Sequence, residues 1–435
     1  MPGERTRGDA LTQVFRIPEF RALWAAELIS VAGDQLARIA LAVLVYGRTG
    51  SAGWAATVYA LTFLPALIGG LLLGGLADRY RRREVMVVTD VVRAVLVGLM
   101  AIPGLSLWAL CALLVVVVLI SAVHSAAQSA LLPAVLPGEH YERGLAVRQI
   151  TSQSVQLAAF AGGGLLLLVV SPVAALALNA VSFIVSAVVL RLGVAERPPP
   201  DRMTEDPGDP GAATEAAPPG RPRGSLLHDG IDALGQILSD PSRRALLCLV
   251  WLVSCYVVPE ALAAPYAASF GGGPLAVGLL MAADPMGSIV GAFLFSRFVP
   301  AHRRSRLVGI IAALAGVPLA LCILAPGLPV SILLWALSGA LATGYLVQAQ
   351  ALFVRATPDA ERGRVVGVAA SGLVATQGIG VFAGGLLADV WDPTVAVAVA
   401  GVTGSVLAAV AALAWRSAGR SGRDVPVAAT VDGGH

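Results

Sequence analysis

Long apolar runs that carry almost no charge are the feature that most restricts how this chain can fold. Each run has eighteen or more residues, enough for a helix to cross a hydrocarbon core about 30 Å thick. Hydrophobic residues make up 57% of the chain and charged residues 13%, whereas a soluble domain carries about 25% charged residues. These values exclude a water-soluble fold, and the sequence predicts a multi-pass membrane protein.

Twelve such runs predict twelve transmembrane helices, which we name spans 1 to 12. Their predicted bounds are, in order, 20–46, 52–77, 85–102, 107–132, 147–170, 173–190, 245–270, 275–298, 307–324, 330–353, 365–388 and 395–415. We therefore predict an all-α membrane protein with a six-helix bundle at residues 1–192, a linker at 193–244, a second six-helix bundle at 245–416 and a tail at 417–435.

The arginines predict the orientation of the spans. Lysine is absent, so all 30 residues counted as lysine plus arginine are arginines. If both chain termini are cytoplasmic, 27 of them lie on cytoplasmic segments or on the adjoining span edges, Arg38 and Arg93 lie inside spans, and only Arg48 is outside. This asymmetry is typical of a protein of the cytoplasmic membrane. Because the positive charge follows the membrane side rather than forming a patch, no nucleic-acid partner is expected.

The linker differs in composition from both bundles. Its first part is rich in Pro, Gly, Asp and Glu, which predicts disorder. At 226–238 apolar residues return at helical spacing, which indicates a short amphipathic helix at the membrane surface or under the bundle. A plain linker and a regulatory element are both compatible with this pattern.

The two bundles share a sequence order. An Ala-Gln pair, a loop with Glu-Arg-Gly and a glycine-rich helix containing Phe follow span 4, and the same order follows span 10. This indicates a duplicated six-helix unit. Two similar halves around a central site can open it to each side in turn, which is a transporter design.

Charged side chains within the first bundle are candidates for function. Asp34 lies near the middle of span 1, where an unpaired carboxylate costs about 2.5–3.5 kcal/mol. Glu27 and Arg38 lie on the same helical face, which must line the bundle interior or a wet cavity. Proton coupling or contact with the transported compound is one role for Asp34 and Glu27, and a permanent Asp34–Arg38 ion pair is the alternative.

Other polar residues inside spans extend this candidate site. Glu260 and Asp284 are the acids well inside spans of the second half, each beside a proline, and a solvated position is an alternative for Glu260. Asp90 and Arg93 are spaced to form a structural or a coupling pair on span 3, and His124 and Gln128 share a face of span 4, where hydrogen bonding in the core competes with a cavity role.

The loop after span 2 carries a family resemblance. Its residues Gly74-x-Leu-Ala-Asp78-Arg79-x-Arg-Arg82-Arg resemble the loop signature of the major facilitator superfamily, Gly-x-Leu-Ala-Asp-Arg-x-Gly-Arg-Arg, with Arg81 in place of the second glycine. The stretches "FRALWAAELISVAGDQLARIALAVLVYGRTGSA" and "VVTDVVRA" are similar to the drug:proton antiporter branch of that superfamily, of the macrolide-efflux and enterobactin-exporter type. The triplet at 162–164 lies where that branch usually carries Gly-Pro, which is missing here.

This resemblance implies the major facilitator fold and a role for the loop. In the family such an aspartate helps to hold the two halves together on the cytoplasmic side. By resemblance, Gly74, Asp78, Arg79 and Arg82 would form a gating loop, whereas the arginines could also serve only as orientation signals.

The predicted function is proton-coupled efflux of amphiphilic drugs or antibiotics by a monomer in the lipid bilayer. An alternative cargo is a siderophore, a lysophospholipid or a self-made metabolite. A non-transporting sensor or a membrane-embedded enzyme is the alternative from a different class. No phosphate-binding loop and no cysteine or histidine set with metal spacing is found, so we expect no cofactor and no metal.

Overall fold

The computed structural model of the protein describes residues 13–63, 65–66, 68–69, 80–197, 234–358 and 362–421. Over these ranges the chain forms helices joined by short turns, without a β-strand. Nine of the helices in these ranges are long and apolar enough to cross a membrane. The helices of spans 3 and 5 and the start of span 2 occupy the remaining predicted positions. The prediction of an all-α membrane protein is therefore confirmed.

The helix bounds follow the predicted spans closely, with the exceptions of spans 5, 7 and 9 and of span 2, of which only the first part is described. Spans 1 to 6 contain the helices Pro18–Thr49, Ala52–Ala60, Arg82–Met100, Leu107–Val135, Glu139–Leu166 and Pro172–Gly193. Span 7 consists of Pro241–Trp251, Val253–Ala261 and Ala263–Ser269, and span 8 of Pro274–Phe298. Span 9 consists of Ala301–Ala315, Val317–Ala320 and the 3₁₀ turn Leu321–Leu324, and spans 10 to 12 of Leu328–Arg355, Arg362–Val390 and Pro393–Ser421.

Local sequence signals explain where many of these helices begin. Ser51, Ser106 and Ser171 each accept a hydrogen bond from the backbone N–H three residues further on, at 3.1–3.2 Å. Such side-chain caps satisfy backbone donors that the first helical turn leaves unpaired. Proline stands in the first turn of spans 1, 6, 7, 8 and 10, where its missing N–H costs nothing. Residues next to the first turn therefore determine where these helices start.

Span 7 is broken and span 8 is continuous, although both contain an internal proline. The helix of span 7 is interrupted at Leu252 and again at Leu262, three residues after Pro259. Pro285 lies within one unbroken helix in span 8. Proline removes one backbone donor in both cases, so an internal proline alone does not decide whether the helix breaks. The break in span 7 places Glu260 on a short helical segment beside span 2.

The two halves of the chain, residues 13–197 and 234–421, touch mainly through spans 5 and 8 and through spans 2 and 11, and span 7 also contacts spans 1 and 2. Gly164 of span 5 faces Gly278 of span 8 so closely that a Cβ atom on either would come within 3.0 Å of the other's Cα atom. Gly385 of span 11 is in similar contact with Gly53 and Ala56 of span 2. These contacts lie at the end of the bundle where span 1 ends at Thr49 and span 11 ends at Val390. We name this the far end of the bundle; the predicted orientation places it outside the cell.

The linker lies mostly beyond the described residues. Of the predicted amphipathic helix, residues 234–238 are described, and they are helical. Ile237 is buried in the same apolar cluster as Leu246 and Leu249 of span 7. This short segment therefore packs against the second half.

Candidate functional site

A cavity of about 240 Å³ lies inside the first half. Its polar lining comes from spans 1, 2, 4 and 6, and consists of Asp34, Arg38, Thr62, Ser121, Ser125 and Asn179. The Nδ2 atom of Asn179 lies 3.5 Å from Oδ1 of Asp34, at the limit of a hydrogen bond. No salt bridge between Asp34 and Arg38 is present among the described residues. The alternative of a permanent ion pair between them therefore does not describe this conformation.

Arg38 instead faces a tyrosine that links the two halves. Its Cζ atom is 5.9 Å from the ring centroid of Tyr59 on span 2. The hydroxyl of Tyr59 donates a short hydrogen bond to Oε2 of Glu260 on span 7. Glu260 is buried, so the alternative of a solvated position does not describe it here. The contact joins one residue of each half within the membrane-spanning part of the protein.

Asp284 on span 8 lies close enough to Glu260 for the two negative charges to repel each other. It is half-buried and packs on span 10 at Gly339. A Cβ atom on that glycine would lie 2.5 Å from Oδ1 of Asp284. The missing side chain at Gly339 thus makes room for the carboxyl group, an arrangement that the spacing of the two residues in the sequence does not indicate.

These residues form what we name the polar chain: Asn179, Asp34, Arg38, Tyr59, Glu260 and Asp284. It runs from span 6 through spans 1 and 2 to spans 7 and 8, and it holds three carboxyl groups and one arginine. Sequence reasoning had singled out the four charged members but not Tyr59 or Asn179. A signal for one of them existed, because Asn179 is the only asparagine in the sequence and it stands in an apolar span.

Glu27 lies apart from the polar chain and is bound by span 5. Nε and Nη2 of Arg148 donate to its two carboxylate oxygens at 2.5 and 2.8 Å. Both side chains are largely buried, at 20% and 16% exposed. Two-point contact of this kind is the strongest geometry for an arginine and a carboxylate. Glu27 therefore joins spans 1 and 5 in this conformation, and sequence reasoning missed its partner.

Asp90 is the centre of a buried network between spans 3, 4 and 6. It accepts a short hydrogen bond from Arg93 and one of 2.6 Å from Ser186. Nδ1 of His124 lies 3.2 Å from the same carboxylate. The guanidinium of Arg93 also stacks on Phe183, with Cζ 4.2 Å from the ring centroid.

His124 and Gln128, the two polar residues of span 4, are both buried. His124 is 3.1 Å from the Thr89 hydroxyl as well as close to Asp90. This geometry fits the hydrogen bonding in the core that was one of two alternatives for His124. The partners of Asp90 come from three helices, which suits a packing role for Asp90 and Arg93.

Most of the predicted gating loop, including Gly74, Asp78 and Arg79, falls outside the described residues. Arg82 is described, and its Nη1 atom donates to the carbonyl oxygen of Ala130 in the last turns of span 4 at 2.8 Å. Arg83 donates to the carbonyl of Val194 after span 6 at 3.1 Å. Arginines at helix C-termini pair with carbonyls that have no partner within the helix. In this conformation both contacts stay within the first half.

Sequence comparison identifies one family over nearly the whole chain. The profile of the Major Facilitator Superfamily matches residues 23–260 and again residues 257–431. Two successive matches agree with the duplication inferred from the repeated sequence order.

Curated relatives are similar to parts of the chain. Multidrug efflux pump Tap of Mycobacterium tuberculosis is 41% identical over 75 residues, 17% of this chain and 18% of its own length. Macrolide efflux protein A of Streptococcus pyogenes is 26% identical over 125 residues, 28% of this chain and 31% of its own. An uncharacterized transporter, YfiS of Bacillus subtilis, is 29% identical over 169 residues, 39% and 40% of the two chains. The chain thus spans well under half the length of these relatives.

Solved structures share the fold over most of the chain. The nucleoside transporter NupG has a TM-score of 0.70 at 12% identity, covering 92% of this chain and 99% of its own. A bacterial homolog of the human lysosomal transporter Spinster, in an inward-facing and occupied conformation, has a TM-score of 0.69 at 14% identity, covering 92% and 96%. At these identities the likeness concerns the fold alone.

The helical architecture, the two profile matches and the fold likeness agree with one another and with the loop resemblance. The chain belongs to the Major Facilitator Superfamily.

Proposed function

We propose that the protein exports amphiphilic drugs or antibiotics in exchange for protons, by alternating access. The observation that carries this proposal is the polar chain, whose Tyr59–Glu260 hydrogen bond crosses from one half to the other. Two partial relatives named as efflux pumps support the direction of transport. The division into bundles at 1–192 and 245–416, with cytoplasmic termini, belongs to the same proposal.

The charge of the polar chain determines which ligands the carrier can exchange. When all three carboxyl groups are ionised, Arg38 balances only one of them, and Glu260 and Asp284 repel each other. Uncompensated charge inside a membrane protein is costly, so the empty, ionised carrier needs either a proton or a positively charged cargo. The polar chain therefore favours binding of cationic amphiphiles. Such a cargo takes the place of the proton that the carrier brought in.

The same residues couple this exchange to movement. An ionised Glu260 accepts a charge-assisted hydrogen bond from Tyr59, which holds the far ends of the halves together. Protonation of Glu260, or pairing of its carboxylate with a cationic cargo, weakens that bond. Only a loaded carrier then opens at the far end, which is the condition for exchange without leakage.

The proton gradient is sufficient for this work. A proton that crosses a potential of about 100 mV gains about 2.3 kcal/mol, and each pH unit adds about 1.4 kcal/mol. A hundredfold gradient of a neutral cargo costs about 2.7 kcal/mol. One proton per cycle therefore supports a hundredfold gradient of a neutral cargo. Exchange of one proton for a cationic cargo moves no net charge, so the potential cancels and the pH difference alone supports about a tenfold gradient per pH unit.

The test is efflux of a cationic dye such as ethidium from proteoliposomes under an imposed pH gradient. Asp34→Asn, Glu260→Gln and Asp284→Asn each remove one titrating group of the polar chain. We expect native protein to drive gradient-dependent efflux, and at least one of these variants to retain binding but lose the dependence on the gradient. Glu84→Gln is the matched control, because its exposed carboxylate at the start of span 3 lies outside the polar chain.

Three outcomes of this series are informative. If Glu84→Gln transports as the native protein does while Glu260→Gln does not, the cross-half residue carries the coupling. If all three variants keep gradient-dependent efflux, proton coupling through the polar chain is wrong. If no dye moves with the native protein in either gradient direction, export of a broad range of amphiphiles is wrong and a narrow cargo takes its place.

A further inference from the structure

A second cavity opens on the side of the bundle near the far end, between spans 2, 4 and 11. It has a volume of about 620 Å³, within the range of small-molecule sites. We name it the far-end groove. Its walls are mainly apolar, and Trp54, Trp108, Phe382 and Leu386 contribute to them. None of these residues belongs to the polar chain, so the proposed function leaves the groove without a role.

Two tryptophans form one wall of the far-end groove. The rings of Trp54 and Trp108 meet edge to face, with centroids 5.1 Å apart and an interplanar angle of 82°. Trp108 is 74% exposed, and it lies at the start of span 4, where tryptophans of membrane proteins meet the interface. The face of a tryptophan ring is the strongest side-chain partner for an organic cation. The wall therefore combines apolar contact area with attraction for positive charge.

A carboxylate stands at the rim of the same groove. Asp389, in the last turn of span 11, accepts hydrogen bonds from Oγ of Ser51 at 3.1 Å and 2.8 Å, one to each oxygen. A single hydroxyl leaves much of the accepting capacity of a carboxylate unused. No salt bridge to Asp389 is present in the described parts of the chain. The negative charge is therefore available to a ligand that lies along the tryptophans.

We propose that the far-end groove binds a cationic amphiphile that carries an ammonium head, at a site separate from the cavity inside the first half. The head lies between Asp389 and the tryptophan faces, and the alkyl chain follows the apolar wall formed by spans 4 and 11. A neutral head would leave the carboxylate without a counter-charge, and an anionic head would be repelled by it. The chemistry of the groove thus selects one class of ligand from the surrounding membrane leaflet.

The position of the groove gives this ligand an effect on the transport cycle. Spans 2 and 4 belong to one half and span 11 to the other, and the groove exists because Gly53 and Gly385 hold spans 2 and 11 together. A ligand bound to both halves favours the conformation in which the far end is closed. Filling the far-end groove therefore slows opening of the far end, whatever occupies the cavity inside the first half.

Photoaffinity labelling in proteoliposomes tests this proposal. The probe is an alkyl trimethylammonium with a diazirine in its chain, and the adducts are located by mass spectrometry. We expect adducts on the groove residues of spans 4 and 11. Labelling should decrease about fivefold in Trp108→Leu, the magnitude of one cation–aromatic contact, and by up to about fivefold in Asp389→Asn, the magnitude of one exposed ion pair. Asp392→Asn is the matched control, since Asp392 is a nearby acid that bonds Thr394 at the start of span 12.

Charge reversal and a neutral probe make the test decisive. In Asp389→Lys we expect the cationic probe to lose groove labelling and an alkyl sulfate probe to gain it. If a neutral probe of the same chain length labels the native groove as strongly as the cationic one, the groove is an ordinary lipid contact and the proposal is overturned. Asp34→Asn, which tests proton coupling, should leave groove labelling unchanged, so this proposal and the proposed function can fail separately.

Discussion

At the scale of single residues, the contact between Glu27 and Arg148 indicates that Glu27 of span 1 stabilises the fold rather than taking part in transport. Each side chain satisfies the other at two points, and removal of one leaves a largely buried charge without compensation. We predict that Glu27→Gln lowers the free energy of unfolding by about 1–3 kcal/mol, and that Glu27→Gln combined with Arg148→Gln recovers part of the loss. The measurement is thermal unfolding in detergent of both single variants and the double variant.

Proton-coupled efflux by the same variants separates structure from mechanism. A structural pair predicts that the double variant regains stability and keeps the dependence of transport on the pH gradient. If Glu27→Gln is as stable as the native protein but transports without regard to the gradient, Glu27 belongs to the coupling machinery after all.

These residues also show how far the sequence determines a site inside a membrane. The spacing of Glu27, Asp34 and Arg38 predicts that all three lie on one face of span 1, since a helix repeats every 3.6 residues. Their partners Arg148, Asn179 and Tyr59 come from spans 5, 6 and 2. Which helices become neighbours is decided by packing between spans, and hydropathy contains no information on it. Charged candidates could thus be predicted, whereas their contacts could not.

At the scale of helices, the start of span 7 illustrates a local signal with a pH-dependent contribution. The carboxylate of Asp240 accepts hydrogen bonds from the backbone N–H groups of Ser242 and Arg243 at 2.8 Å and 3.2 Å. Partial burial acts to raise the pKa of Asp240, but these bonds and the side chain of Arg243 outweigh it and lower the pKa below its usual range. A lowered pKa means that the charged cap contributes its full stabilisation above the pKa of the unfolded chain. This contribution is lost as the pH falls from there through the lower pKa of the folded chain.

We predict that Asp240→Ala destabilises the protein by about 1 kcal/mol at neutral pH. The difference from the native protein should shrink below about pH 4, the usual pKa of an aspartate. Asp240→Asn is the control, because asparagine caps helices without a charge and should lose little at either pH. Unfolding by denaturant at pH 7 and pH 3 measures both effects; an equal difference at the two pH values would contradict the assigned cause.

The glycines of span 5 predict a second effect at this scale. A Cβ atom on Gly164 would lie 2.8 Å from the Cα atom of Gly278, while one on Gly162, two residues earlier, would meet nothing within 4 Å. Gly164→Ala should therefore push spans 5 and 8 apart at the far end, and Gly162→Ala should not. We expect the distance between spin labels at Val169→Cys and Ala268→Cys, in a cysteine-free background, to increase only in Gly164→Ala. Equal distances in the two variants would mean that this contact does not hold the far end closed.

At the scale of the whole molecule, the sequence predicts the helical architecture better than it predicts the conformation, which is closed at the far end. Twelve spans, two halves and their order follow from hydropathy and from the repeated loop, because each span must satisfy its own backbone hydrogen bonds as a helix. The closed far end follows from contacts between halves, such as Gly53 with Gly385 and Tyr59 with Glu260. A transporter populates more than one arrangement of these contacts, so no sequence pattern specifies one of them alone.

The last prediction concerns the balance between these arrangements. Tyr59→Phe removes the hydroxyl that donates to Glu260 across the halves, and a hydrogen bond to a charged group contributes about 1.5–3 kcal/mol. Because each 1.4 kcal/mol is a tenfold change in an equilibrium, the fraction open at the far end should rise about tenfold or more and depend less on pH. The control is Tyr266→Phe, which removes a buried bond of 2.7 Å to Ser331 within the second half. The distance between the labels at Val169→Cys and Ala268→Cys measures the open fraction in both variants. If this fraction rises in Tyr266→Phe but not in Tyr59→Phe, the Tyr59–Glu260 contact is not part of the mechanism.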